Sequence, residues 1–236
     1  MLSAIVVLLA GLVVAVPLVG QAPSAAPPDP TDQGTFEIFA SGQSIGIEKF
    51  EIRLRSGHIE AQGEVRMNMP EDGKSVESRT TSNLVLDPQL DPLSYTWNQK
   101  GAQTSQLSVD FHSKPVHARR KAANGQEDRR DLKLDKDVIV LDDNVIHHYQ
   151  LALARYNKIQ GGTQVFRAFI PQEALPGVIT LNEVGPETVT VDGTKRTLRR
   201  FLLTTDSTQI SLWADDQGHL QFMSAADNQY QATRKK

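Results

Sequence analysis

Three groups of residues have types and spacings that could do chemistry. Gly42-Gln-Ser44-Ile-Gly46 matches the G-x-S-x-G pattern of serine hydrolases. That chemistry needs a strand, a strained turn presenting the serine, and a helix whose N-terminus backs the oxyanion hole. Here Ile47-Glu-Lys-Phe-Glu-Ile-Arg-Leu54 follows and reads as a strand, so the glycines fit hairpin and close-packing positions better. His147-His148 stands beside Asp142 and Asp143. Adjacent histidines on a helix point about 100° apart and cannot chelate one ion as an i,i+4 pair does. His112 and His117 match no standard ligand spacing. No catalytic residue, metal site or cofactor is expected.

The third group is basic. Arg119-Arg120 and Arg129-Arg130 flank Asn124-Gly125, with Glu127 and Asp128 interleaved. Interleaved signs read as a solvated hairpin, and functionally as a patch for an anionic headgroup or an envelope polymer. Lys195, Arg196, Arg199 and Arg200 form a second cluster. Neither is interleaved with aromatics, and 25 basic against 28 acidic side chains leave a charge of -3, so nucleic acid is not an expected partner.

The elements that must position these groups are mostly strands. From Gly34 onward the pattern alternates with period two and is broken by turn dipeptides. Ser41-Gly42, Ser56-Gly57, Asn98–Gly101, Asn124-Gly125, Asp192-Gly193 and Asp215–Gly218 mark turns, with type I′ geometry expected at Asn124-Gly125 and Asp192-Gly193. Ile45 and Ile47 keep one phase and Phe50, Ile52 and Leu54 the opposite one, which predicts a β-bulge between them. About a dozen strands are expected, and an open sheet of that size curls or closes.

One helix is expected, over about 144–156. Asp142, Asp143 and Asn144 are its N-cap candidates, and Gly161-Gly162 stops it. Val145, Tyr149, Ala152, Leu153 and Tyr156 form its apolar stripe. His147 then lies opposite the stripe and is expected in solvent, while His148 flanks it. The fold class is therefore mainly β: one strongly curved antiparallel sheet or incomplete barrel, with the helix as lid or plug. Trp97, Tyr149, Leu153 and Trp213 are the expected lining of an apolar cavity.

The chain of 236 residues has no cysteine, which excludes disulfides, thiolate metal sites and cysteine nucleophiles. Leu2–Gly20 carries no charge and is followed by a Pro/Ala-rich stretch. Residues 1–22 are read as a signal peptide or membrane anchor, 23–33 as a linker and 34–236 as one β-rich domain. No Lys or Arg precedes the apolar run; cleavage after Ala22 or Ala26 would leave proline next, and cleavage after Ala25 avoids that but puts Pro23 at the small-residue position two before it. The uncleaved anchor therefore stays open beside the signal peptide. Either reading sends the domain across a membrane, to the periplasm or another extracytoplasmic space.

Phe36-Glu-Ile-Phe-Ala-Ser-Gly-Gln-Ser-Ile-Gly-Ile-Glu-Lys-Phe-Glu-Ile52 resembles the opening hairpin of exported bacterial proteins of unknown function. Val138–Tyr156 and Ile210–Leu220 are similar to the same family. The resemblance implies a curved sheet or incomplete barrel in the cell envelope, similar in plan to the lipoprotein-carrier fold, with no catalytic residue to carry over. The expected role is non-enzymatic binding of a lipid-like or apolar ligand. The alternative is an interaction module for an envelope protein partner, and the least favoured reading is a hydrolase.

Overall fold

The computed structural model describes residues 30–71, 74–101, 104–225 and 229–235. The expected signal or anchor over 1–22, and most of the linker, lie outside them. The first half of the chain builds β1 (Pro30–Ala40), β2 (Gln43–Arg55), β3 (His58–Glu71), β4 (Lys74–Leu86), β5 (Pro92–Lys100), β6 (Ser105–Asp110), β7 (Val116–Ala122) and β8 (Glu127–Leu132). After β9 (Ile139–Val140) comes α1 (His147–Ala154), then β10 (Thr163–Ile170) and β11 (Leu175–Val191). β12 (Thr194–Thr204), β13 (Gln209–Ala214), β14 (Leu220–Ala225) and β15 (Tyr230–Arg234) complete the chain.

These fifteen strands form one sheet, ordered β8-β7-β6-β5-β4-β3-β2-β1-β15-β14-β13-β12-β11-β10-β9. Two meanders thus meet where β1 pairs with β15, and the outer strands β8 and β9 do not pair with each other. The sheet is curved and unclosed. β9 and β10 are parallel, and the helix supplies the crossover that a parallel pair needs. The free strand β8 reads Glu127-Asp-Arg-Arg-Asp-Leu132, a charged edge that discourages pairing with another chain.

Turn chemistry explains the register. Ser41-Gly42, Ser56-Gly57 and Asp192-Gly193 each have two successive positive φ angles, as a type I′ turn requires. Asn124-Gly125 departs from that expectation. Only Gly125 has positive φ; its N–H donates to Ala122 O, and the Ala122 N–H donates to Gln126 O, which is a type I turn closed by a glycine bulge.

The bulge expected between Ile47 and Phe50 lies earlier. β2 pairs with β3 without a shift from Gly46 to Arg55, whereas pairing with β1 skips Ile45. The inward positions after that bulge are therefore Glu48, Phe50 and Ile52. Alternation is unbroken; a carboxylate occupies an inward position. Further bulges at Val85/Leu86, Glu183/Gly185 and Trp213/Ala214 add local twist. The second of these irregularities, at Glu183/Gly185, lets Leu175–Val191 run as one bent strand.

The helix is a plug. His147, His148, Gln150, Leu151, Ala152 and Leu153 are all buried, so every side of α1 meets protein. It spans His147–Ala154, shorter than the expected 144–156. The main core joins both meanders to it: Phe36, Phe50, Tyr95, Trp97, Phe169, Leu181, Leu203, Leu212 and Met223 pack in one cluster with Ile146, Ala152 and Leu153.

Candidate functional site

The polar centre of the interior sits at the root of the helix. No side chain of the expected Asp142–Asn144 set caps α1; its N-cap is Ile146, which has no capping hydrogen bond. Glu48 of β2 supplies the acceptor instead. Its carboxylate accepts the His147 backbone N–H at 3.1 Å and lies 2.8 Å from His147 Nδ1. Both residues are fully buried, which corrects the expectation that His147 faces solvent. Asn144 takes φ 60°, and Asp142 is turned toward β5 and the β10–β11 turn.

Aromatic contacts extend this pair in both directions. Phe36 stacks on Phe50, Phe50 lies parallel to the His147 ring at 5.9 Å, His147 meets His148 at 4.8 Å, and His148 meets Tyr95 edge-on at 5.6 Å. Neither ring nitrogen of the fully buried His148 has a hydrogen-bond partner among the described residues. Burial, and then the neighbouring His147, hold its pKa well below the usual histidine value. Tyr95 donates its hydroxyl to Asp142 Oδ2 at 2.5 Å, while Asp142 Oδ1 accepts the backbone N–H groups of Asp143 and Gln172. Burial outweighs those hydrogen bonds and pushes the Asp142 carboxyl up to about 6.

A second buried polar group anchors the middle of α1. Gln150 donates to Asp32 Oδ2 at 2.5 Å and accepts the Leu220 backbone N–H at 3.1 Å. Arg234 grips the same Asp32 carboxylate with two donors and places its guanidinium 5.3 Å from the Phe50 ring centre. Asp32 belongs to the stretch expected as linker; it is part of β1 and buried.

Beside the helix root opens a cavity of about 660 Å³. Leu141, Asp142, Asp143 and Tyr149 line it on the helix side. Ile170, Leu175, Ile179, Leu203 and Ile210 form apolar walls from β10 to β13, and Asp206 and Glu173 stand at its turns. The volume is within the range of small-molecule sites. Leu175 is half exposed, and the Tyr149 hydroxyl has no hydrogen-bond partner among the described residues. Burial raises the Tyr149 pKa, followed by the charges of Asp143 and Asp142.

The four residues expected to line an apolar cavity do not come together. Tyr149 lines this one. Trp97 and Leu153 are buried in the packed core, away from it. Trp213 lies on the opposite sheet face, in a separate cluster with Val191 and Leu198; its ring carries the Arg200 guanidinium, and its Nε1 donates to Glu187. The concavity that the sequence implied is occupied by α1, and the cavity is displaced to its edge.

The basic residues are divided as well. Arg119 and Arg129 pair across the outer face of β7–β8, both with Glu127. Arg120 and Arg130 share the other face and line a cavity of about 210 Å³ against the β10–β11 turn. Arg130 is held by Asp128, and Arg120 bonds Ser105 Oγ and reaches the Gln172 carbonyl. Ser44 sits in the exposed start of β2 and donates to Glu37 Oε1. His112 and His117 contact Asp110 and Asp131 at the surface.

Glu48, Asp32, Gln150 and Arg234 are unmarked by sequence patterns, and Tyr95 is marked only as an inward strand position with Leu93 and Trp97. Of the unmarked ones, Glu48 alone leaves a trace there: a carboxylate at an inward position two residues before Phe50. Their partners are remote in the chain, so no local spacing could have paired them.

Similarity to known proteins is confined to the fold. A β-barrel-like protein of the domain of unknown function DUF1849 from Brucella abortus is similar, with TM-score 0.57 and 10% identity, covering 86% of this chain and 95% of that one. A DUF1089 family protein from Pseudomonas aeruginosa matches at TM-score 0.45 and 10% identity, over 89% of this chain and 95% of the other. No family model matches the sequence, and no curated protein matches it. The chain thus has the β-barrel-like, unclosed, curved-sheet fold of a domain of unknown function.

Proposed function

We propose that this chain is an exported cell-envelope protein that acts by binding, without catalysis, and that its ligand is a lipid-like or otherwise apolar molecule. The observation that carries this reading is the cavity of about 660 Å³ beside α1, walled by Leu175, Ile179, Leu203 and Ile210. An open apolar cavity in a rigid sheet offers a ligand the burial energy that the rest of the interior has already used on α1. The uncharged Leu2–Gly20 segment supports export, and whether it is removed or kept as an anchor alters only how the domain is held near the membrane.

The Tyr149 hydroxyl and the carboxylates at the mouth would orient the polar end of such a ligand, while the aliphatic walls take its chain. The interaction-module reading is less well supported. Arg119, Arg129 and Arg130 are each paired with Glu127 or Asp128 of the same hairpin, which reduces the charge available to a partner.

The test is native mass spectrometry and solvent extraction of the purified chain, followed by titration with a dansyl-labelled fatty amine. Saturable binding that is lost in Leu175→Glu supports the reading. Absence of co-purifying lipid together with no saturable probe binding, or unaltered binding by Leu175→Glu, overturns it.

A further inference from the structure

The outer face of the first meander carries a shallow, open depression. A trough of about 570 Å³ crosses β1–β5 there, on the face opposite the core. Strand register builds its floor. Gln62 of β3, Asn83 of β4 and Thr96 of β5 are successive cross-strand partners, and beside them run Thr81 and Asn98. With strands about 4.8 Å apart this floor spans about 10 Å, and the whole trough from β1 to β5 about 19 Å, room for a few linked rings.

The trough has a distinctive chemistry. Its carboxylates are already engaged: Glu51 pairs with Arg53, and Glu64 with both Arg66 and Arg79. Lys49 is the only cation among the described residues that line it. The side chains of Gln62, Thr81, Asn83, Thr96 and Asn98 make no hydrogen bonds with other described residues. What remains is a row of neutral amides and hydroxyls on β3–β5, in which Asn83 Oδ1 is buried and without a hydrogen-bond partner among the described residues.

That pattern discriminates among ligand classes. A phosphate-bearing polymer needs a line of free cations; Arg53, Arg66 and Arg79 beside the trough are held by Glu51 and Glu64, which leaves Lys49. A lipid needs apolar wall, and Phe50 is the one apolar side chain among the described residues that line the trough. An extended peptide would bind by backbone pairing at a free sheet edge, but β2–β5 are hydrogen-bonded on both sides. A neutral polyhydroxylated chain matches the trough, since each sugar ring presents hydroxyls that both donate and accept.

We propose that this trough is a second binding site, for a neutral oligosaccharide lying across β2–β5, independent of the apolar cavity. Gln62, Asn83 and Asn98 are its main contacts, with Thr81 and Thr96 between them. Its place on the opposite sheet face would let the protein hold a glycan strand and an apolar ligand simultaneously.

The experiment is NMR titration of the full-length chain with chitotetraose, cellotetraose and dextran sulfate, reading the side-chain NH2 signals of Gln62, Asn83 and Asn98. Saturable shifts at these three groups with either neutral oligosaccharide support the proposal, and the stronger ligand tells whether N-acetyl groups are read. Asn83→Asp, which keeps the side-chain size, should weaken binding by about tenfold, equivalent to one lost hydrogen bond. The exposed substitution Gln62→Ala should do likewise if Asn83→Asp perturbs the fold. No shift with either neutral oligosaccharide, binding by dextran sulfate alone, or affinity unchanged in both variants overturns it. Leu175→Glu must leave this binding intact, so failure of the apolar-cavity reading stays distinguishable.

Discussion

Glu48 and His147 are 99 positions apart in sequence, and the carboxylate of the first lies 2.8 Å from the ring of the second and accepts its backbone N–H. Both are fully buried. One strand residue thereby does what a local capping residue does elsewhere, satisfying a donor of the helix's first turn, and it fixes where the plug enters the sheet. Breaking a buried, hydrogen-bonded pair from one side leaves the other group unsatisfied. Glu48→Ala should therefore cost about 3–5 kcal/mol in urea unfolding, and the double variant with His147→Ala should cost less than the sum of the two single changes.

Gly63 of β3 is the floor against which His147 rests. A Cβ there would lie 2.6 Å from His147 Cε1 and 2.9 Å from Nδ1, closer than atoms pack. Gly63→Ala should destabilise the protein by about 1–3 kcal/mol, as overpacking does. In a His147→Ala background the penalty should largely disappear, and thermal melts of the four proteins measure it.

Stability should depend on pH through two buried groups of opposite sign. Burial depresses His148 well below its ordinary 6.5, so below that pH the unfolded chain binds the additional proton and stability falls with acidification. Asp142 is raised from 3.8 to about 6, so between those values the folded chain binds more protons and stability falls as pH rises. His148→Phe should remove the acid loss and leave the Asp142 slope visible. Asp142→Asn should do the reverse, in urea titrations from pH 4 to 7.

Tyr95→Phe removes the hydroxyl that donates to Asp142 at 2.5 Å. That hydrogen bond favours the carboxylate form, so without it the Asp142 pKa should climb further above about 6. Carbon-detected NMR of the carboxyl group follows the shift, and unfolding should show a loss of about 1.5–3 kcal/mol for a hydrogen bond to a charged group.

At the apolar cavity, Asp143, Glu173 and Asp206 place negative charge around the mouth. A dansyl fatty amine should bind more tightly than the matching dansyl fatty acid, and the difference should shrink in 0.5 M salt to about the level set by the chain alone. Asp143→Asn with Glu173→Gln should narrow it in the same way. Equal affinities for the two probes at low salt would mean that the headgroup does not meet these carboxylates.

The sequence by itself determined the strand-rich class, most turns and the existence of one helix, because alternation, Gly-containing dipeptides and apolar spacing are local properties. Ser41-Gly42 and Asp192-Gly193 illustrate this, since the backbone angles they allow are set by the residues themselves. The fate of the helix was a tertiary matter. Its stripe of Val145, Tyr149, Ala152, Leu153 and Tyr156 reads as one buried side, whereas the curved sheet surrounds it and buries His147 and His148 as well. Trp97 and Trp213 are alike in type and strand context, yet they lie on opposite faces, decided by register and the bulge beside Trp213. Glu48–His147, Asp32–Gln150 and Tyr95–Asp142 arise only when remote strands close on the plug. A buried polar group is tolerable only beside its partner, and that partner is chosen by the fold.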